Sequence, residues 1–154
     1  MKQPGDKVND LLGIDTDGNE IRISSMGGRG VVLYFYPKDN TPGCSAEACS
    51  LRDAYSQIEA QGYAVVGVSR DSAASHRRFA DKFQLRFPLI VDADHRLCEE
   101  FGVWQLKKMA GREYMGIVRT TFIISAEGVV EHVITKVNTK AAAELLGERL
   151  RAMG

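Results

Sequence analysis

Little in this chain of 154 residues is in excess. Its 20 basic and 20 acidic side chains cancel to a formal net charge of zero. No long run of either sign occurs, which removes the electrostatic footprint of nucleic-acid or membrane-surface binding. Long apolar runs are missing too: stretches such as VVLYFY at Val31–Tyr36 fall far short of the ~20 residues that cross a bilayer. Met1–Asp10 is polar and offers no signal-peptide core, so a soluble, cytoplasmic protein is expected. There are only 3 cysteines, an odd and modest count that argues against a secreted disulfide framework. Internal repeats, low-complexity tracts and linkers are absent, and 44% hydrophobic residues suit one compact domain over residues 1–154.

The absences extend to cofactor signatures. Gly27-Gly28-Arg29-Gly30 follows no strand and lacks the G-x-G-x-x-G pattern, so flavin and nucleotide cofactors are not expected, and neither is heme. His76, His95 and His132 are scattered over a helix, a helix start and a strand without metal-ligand spacing. Solvated or capping roles are expected for them, and no metal.

What is present is an alternation of strands and helices. Leu11–Ile23 reads as a hairpin turning at Asp17-Gly18. Val31–Tyr36 and Tyr63–Ser69 are continuous β-branched and aromatic runs, as in strands buried on both faces. Between them Cys44–Gln61 has helical spacing, with Ala48, Leu51, Tyr55 and Ile58 on one face and Gly62 as the stop. Ser72 caps a helix to Phe83, Phe87–Val91 reads as a short strand, and His95–Phe101 as a helix ended by Gly102. Thr120–Ile124 and Val129–Ile134 flank the turn SAEG, and Thr139 caps a last amphipathic helix to about Arg151. The pattern implies an α/β layered domain with a mixed sheet. It suits a thioredoxin-type fold and does not separate it from a flavodoxin-like one.

Two of the cysteines, Cys44 and Cys49, stand five positions apart behind Thr41-Pro42-Gly43. Cys44 is placed where a buried strand gives way to a helix, so it meets unpaired amides and the positive end of the macrodipole. Such a location favours the thiolate, the nucleophilic form. The plain alternative is a small apolar residue packing a helix start. In a regular helix five residues separate the two Cα atoms by about 8.6 Å, whereas disulfides rarely tolerate more than about 7 Å. The pair therefore stays apart unless the first turns unwind, which suits a catalytic cycle better than a staple. Two unrelated cysteines on one helix remain the other reading.

The signature P-x-x-x-T-x-x-C, spelled Pro37-Lys38-Asp39-Asn40-Thr41-Pro42-Gly43-Cys44, resembles the active site of the peroxiredoxins. The longer FYPKDNTPGCSAEACSLRD is similar to the bacterioferritin-comigratory, or PrxQ, branch. So are GVSRDS (Gly67–Ser72), FPLIVDADHRLCEEFGVW (Phe87–Trp104) and VRTTFII (Val118–Ile124). The resemblance implies a thioredoxin fold with an N-terminal β-hairpin, and a cofactor-free thiol peroxidase acting on hydrogen peroxide and organic hydroperoxides. It makes Cys44 the peroxidatic cysteine and Cys49 the resolving one. It also implies that Thr41 and Arg119 orient the peroxide, and that Pro37 shields the site and shapes the turn. Thioredoxin or a similar dithiol is the implied reductant, and a monomer the implied state, as is common in this branch. Glu47 is taken as support for the helix start, Cys98 as structural, and Phe101 and Trp104 as packing near the site. Two other readings stay open: a general dithiol oxidoreductase, and a metal held by Cys44, Cys49 and Cys98.

Overall fold

The computed structural model describes residues 1–153. Strand β1 (Leu11–Ile14) pairs antiparallel with β2 (Glu20–Arg22). The Asp15 carboxylate accepts the amides of Asp17 and Asn19, closing the expected turn. The central sheet has the order β5-β4-β3-β8-β9, with β3 (Gly30–Phe35) in the middle. β4 (Tyr63–Ser69) and β5 (Leu89–Val91) run parallel to β3, whereas β8 (Thr120–Ile124) and β9 (Val130–Ile134) run antiparallel. A flavodoxin-like sheet is wholly parallel, so the two antiparallel strands decide for the thioredoxin-type arrangement.

Every residue of β3 is buried, because its two faces feed two cores. Val31, Leu33 and Phe35 join Leu12, Leu97, Phe101 and Ile117 on one side. Val32, Tyr34 and the following Tyr36 join Cys44, Leu51, Phe79 and Leu146 on the other. The second side is the one covered by α1 (Pro42–Asp53), α2 (Tyr55–Ala60), α3 (Ala73–Phe83) and α5 (Ala142–Met153). Helix α4 (Arg96–Glu100) sits on the first. Among the described residues no helix is long and apolar enough to cross a membrane.

Ser72 caps α3 as its position predicts, accepting the Ser75 amide at 3.2 Å. Four details depart from the expectations. The helix expected over 44–61 starts at Pro42 and breaks at Ala54 into α1 and α2. The expected strand over 87–91 begins only at Leu89. Thr139 does not open α5, which begins at Ala142; its Ala143 amide is instead accepted by Ser50 Oγ of α1, at 3.1 Å. Lastly, β6 (Trp104–Met109) and β7 (Arg112–Ile117) form an additional antiparallel hairpin that no residue pattern announced.

Candidate active site

Thr41 is extended (φ −90°, ψ 154°) and serves as the N-cap of α1, with Pro42 as the first helical residue. Proline suits that position because an amide there would have no helical partner. Cys44 is then the third residue of the helix, and its own N–H is also without an intrahelical acceptor. The first amide satisfied is that of Ser45, by the Thr41 carbonyl at 2.8 Å. Cys44 points inward and keeps 1% of its surface.

Arg119, the residue before β8, reaches across to this turn. Its Nη2 donates to Cys44 Sγ at 3.3 Å and its Nη1 to Glu47 Oε1 at 2.6 Å. The fork works because Cys44 and Glu47 stand three apart on one face of α1. Burial opposes the Arg119 charge, but the Glu47 carboxylate and the Cys44 sulfur outweigh it, and the guanidinium is held more firmly protonated than usual. Glu47 is fully buried, and that burial, partly offset by Arg119, pushes its carboxyl up to about 7. Its Oε2 has no partner among the described residues.

Glu47 is therefore not a support of the helix start. Among the described residues it makes no capping contact, and it holds the arginine that touches the sulfur. The signal available in the sequence was its spacing from Cys44 within the inward-facing set Cys44, Glu47, Ala48 and Leu51.

Thr41 is placed beside the cysteine by the helix start, with its hydroxyl donating to the Lys38 carbonyl at 3.0 Å. It makes no hydrogen bond to the sulfur among the described residues. Pro37 lines a groove of about 530 Å³ together with Arg70, Trp104, Lys107, Met115 and Ile117. Cys44 and Arg119 lie outside that lining. Trp104 stacks on His95 at 4.3 Å beneath the Arg70 guanidinium, so it does flank the groove. Phe101, by contrast, is core on the opposite face of the sheet.

Cys49 is half-buried on the outer side of the same unbroken helix. It borders a second groove of about 550 Å³ between α1–α2 and the start of α5, with Ser50, Gln57 and Lys140. Cys44, Cys49 and Cys98 are all free thiols. Cys98 belongs to the other core, across the sheet from Cys44, so the three sulfurs are not gathered as a common metal site requires. Burial, then the adjacent Asp92, push the Cys98 thiol far above its ordinary range, which fits a structural role.

The histidines divide. His95 is half-buried at the start of α4 in a left-handed conformation (φ 50°), and His132 lies half-buried on β9. His76 contradicts the expectation of a solvated or capping residue. It is fully buried, with Nδ1 2.7 Å from Asp39 Oδ2 and Nε2 2.9 Å from the Ile90 carbonyl. Its helical position alone could not reveal a partner 37 residues away.

Comparison with known proteins places this geometry. The AhpC/TSA family profile matches residues 4–133. Peroxiredoxin Bcp of Bacillus subtilis is 47% identical over 124 residues, 80% of this chain and 79% of the relative. A putative peroxiredoxin bcp of Coxiella burnetii is 44% identical over 132 residues, 85% of this chain and 87% of the relative. Among solved structures, a cysteine-to-serine mutant of Xylella fastidiosa PrxQ superimposes with a TM-score of 0.89 at 35% identity, covering 99% of this chain and 98% of that one. A ligand-complex study of the Xanthomonas campestris bacterioferritin comigratory protein, concerned with its alkyl peroxide reduction, gives 0.84 at 34% identity, covering 96% and 99%. A cysteine on the first turn of a helix, gripped by an arginine just before the strand β8, thus lies in a chain that belongs to the AhpC/TSA family and, within it, to the Bcp/PrxQ peroxiredoxins.

Proposed function

We propose that Cys44 carries the thiol-peroxidase chemistry of this family, that Cys49 resolves it, and that Arg119 and Thr41 orient the peroxide. The observation that carries the reading is the Arg119 guanidinium donating to Cys44 Sγ at 3.3 Å on the first turn of α1. The thiolate attacks one peroxide oxygen; the S–O bond forms as the O–O bond breaks, and two electrons pass from sulfur to peroxide. The departing alkoxide or hydroxide takes a proton and leaves as alcohol or water, and Cys44 becomes a sulfenic acid. Negative charge moves from sulfur to the leaving oxygen, so a fixed cation over the sulfur acts where charge migrates. With its own O–H donated to the Lys38 carbonyl, the Thr41 oxygen has lone pairs left to accept a hydrogen bond from the peroxide.

Cys49 then attacks the sulfenic sulfur; the S–S bond forms, the S–O bond breaks, and water leaves with the Cys49 proton. Helix geometry keeps the two cysteines about 8.6 Å apart, so α1 must unwind from its N-terminus before this step. A protein dithiol of the thioredoxin type returns both sulfurs to thiols by exchange. We read the chain as a single-domain, monomeric, cytosolic enzyme acting on hydrogen peroxide and organic hydroperoxides.

Anaerobic, reduced protein mixed with one equivalent of peroxide tests the assignment. Two thiols should disappear rapidly as one Cys44–Cys49 disulfide, with Cys98 intact, and Cys44→Ser should abolish turnover. Slow, indiscriminate loss of all three thiols, or an active Cys44→Ser protein, would refute it.

A further inference from the structure

The chain just before Cys44 is tied down by a buried polar cluster that the reaction does not consume. On the loop 37–41, Lys38 and Asn40 are exposed, but Asp39 between them turns inward and keeps 6% of its surface. Its carboxylate meets His76 Nδ1 at 2.7 Å. It also accepts the Tyr36 hydroxyl at 2.6 Å and the Ser75 hydroxyl at 2.8 Å. Its backbone amide donates to Asp71 Oδ2 at 2.9 Å, an oxygen that Ser69 Oγ also reaches at 2.6 Å.

His76 has no freedom in this arrangement. The Ile90 carbonyl can only accept, so Nε2 carries a proton, and Nδ1 shares another with Asp39. Asp39, Asp71 and His76 bring ligand-type atoms within 4.8 Å of one another. Those atoms are already committed to the hydrogen bonds above, which makes the cluster a clamp rather than a cation site. Through it the loop is fixed to α3 and β5, elements that take no part in α1.

The position of the clamp gives it a consequence. Asn40, next to Asp39, is held at φ 61°, and Thr41 caps the helix. A shift of Asp39 therefore passes directly to Thr41 and to the turn that presents Cys44. We propose that the His76–Asp39 pair is a positioning device for the peroxidase reaction: it sets the Pro37–Thr41 loop and the first turn of α1 for peroxide attack, and stays fixed while α1 unwinds towards Cys49. The proposal rests on the roles assigned above to Cys44 and Cys49. His76 is on this account a positioning residue, since it touches neither the sulfur nor Arg119.

Two isosteric halves of the histidine separate positioning from filling. His76→Asn keeps a donor where Nδ1 meets Asp39 and gives up the Ile90 contact; His76→Gln does the reverse. Rapid quenching with an alkylating reagent, followed by mass spectrometry, reads Cys44 oxidation and disulfide formation separately. Misplacing a reacting group by about 1 Å can cost on the order of 100-fold. His76→Gln should accordingly slow Cys44 oxidation at least tenfold, leave disulfide formation as fast as or faster than in the wild type, and yield less sulfinic acid at high peroxide. His76→Asn should stay within about threefold of the wild type at both steps. Equal rates in wild type and His76→Gln, or an equal fall in both variants, would overturn the proposal. A wild-type protein inert to peroxide would overturn the assignment of Cys44 instead. If neither histidine variant folds, Tyr36→Phe decides: slower oxidation with resolution as fast as or faster than in the wild type supports the clamp, and any other outcome refutes it.

Discussion

Replacing Glu47 by glutamine should make the protein more stable towards alkaline pH and a poorer peroxidase. Glu47 has no exposed surface, and its carboxyl is pushed from an ordinary value of 4.5 up to about 7 by burial. The folded protein thus holds this proton to higher pH than the unfolded chain does. Below about pH 4.5 the group is protonated in both states and has no pH-dependent cost; above about pH 7 it is ionised in both, and the folded state bears the full penalty. At about 1.4 kcal/mol per pH unit, that penalty is about 3 kcal/mol, and it grows as pH rises between the two values. Glutamine has the same shape and no such titration. The stability of Glu47→Gln minus that of the wild type should therefore rise by about 3 kcal/mol from pH 4 to pH 8. Urea unfolding of the reduced proteins across that range measures it. The same substitution replaces an ion pair with Arg119 Nη1 by a bond from the still-charged guanidinium to a neutral amide oxygen, a loss of about 1–1.5 kcal/mol, so oxidation of Cys44 should slow by about tenfold. A stability difference that is flat or falling with pH would refute the reasoning.

Arg119→Ala should slow Cys44 oxidation by about 100-fold or more, the usual effect of removing a donor aimed at developing charge. Its stability cost should be smaller, because Glu47 can take up a proton once its partner is gone; equal losses of rate and stability would mark Arg119 as structural. Cys49→Ser should leave the first attack intact, accumulate sulfenic acid and then overoxidise, and mass spectrometry showing a normal disulfide in that variant would move the resolving role to another thiol. Gly43→Ala should stabilise the first turn of α1 by up to ~1 kcal/mol and slow disulfide formation by up to about fivefold. The new methyl would stand 3.3 Å from Arg119 Nη2, so a displaced guanidinium should also slow oxidation; an unchanged resolution rate would show that unwinding does not begin there.

The parts of the fold that were legible are those where burial writes a period into the sequence. β4 and β8 coincide with the expected Tyr63–Ser69 and Thr120–Ile124. β3 differs from its run by one residue at each end. The β6–β7 hairpin had no such writing. Both strands are largely exposed, with Leu106, Met109, Tyr114 and Met115 in solvent, so there is no inward-outward alternation to find. Its turn, Ala110-Gly111, places both residues at positive φ (51° and 79°), which Asn-Gly announces and Ala-Gly does not. Of the residues that motifs single out, Cys44, Thr41 and Arg119 meet at the start of α1 and Cys49 lies on its outer side, while Glu47 and His76 were misread for a common reason. Each is a charged or titratable residue that its own segment gives no cause to bury; the cause is a partner far along the chain, Arg119 for one and Asp39 for the other.

On the proposed assignment, one helix must be firm enough to aim Cys44 and weak enough to release it, and its composition accounts for both. Gly43 is a poor helix former at the second position, and Pro42 at the first contributes no amide to the helix. The amides up to Cys44 have no helical bonds to lose, so freeing the chain as far as Cys44 breaks roughly four hydrogen bonds, those donated by the amides of Ser45 to Ala48. At about 1 kcal/mol each, opening costs about 4 kcal/mol, which leaves the unwound form near 0.1% of the reduced protein. The remainder of α1 is held by Ala48 and Leu51 in the core and by the bond from the Ala143 amide to Ser50, so opening stops there. Oxidation changes the balance. Cys44 keeps 1% of its surface, and an added oxygen overfills a packed site at a cost of about 1–3 kcal/mol. That cost offsets part of the opening penalty, so the unwound form rises from about 0.1% of the reduced protein to roughly 1–15% of the sulfenic form.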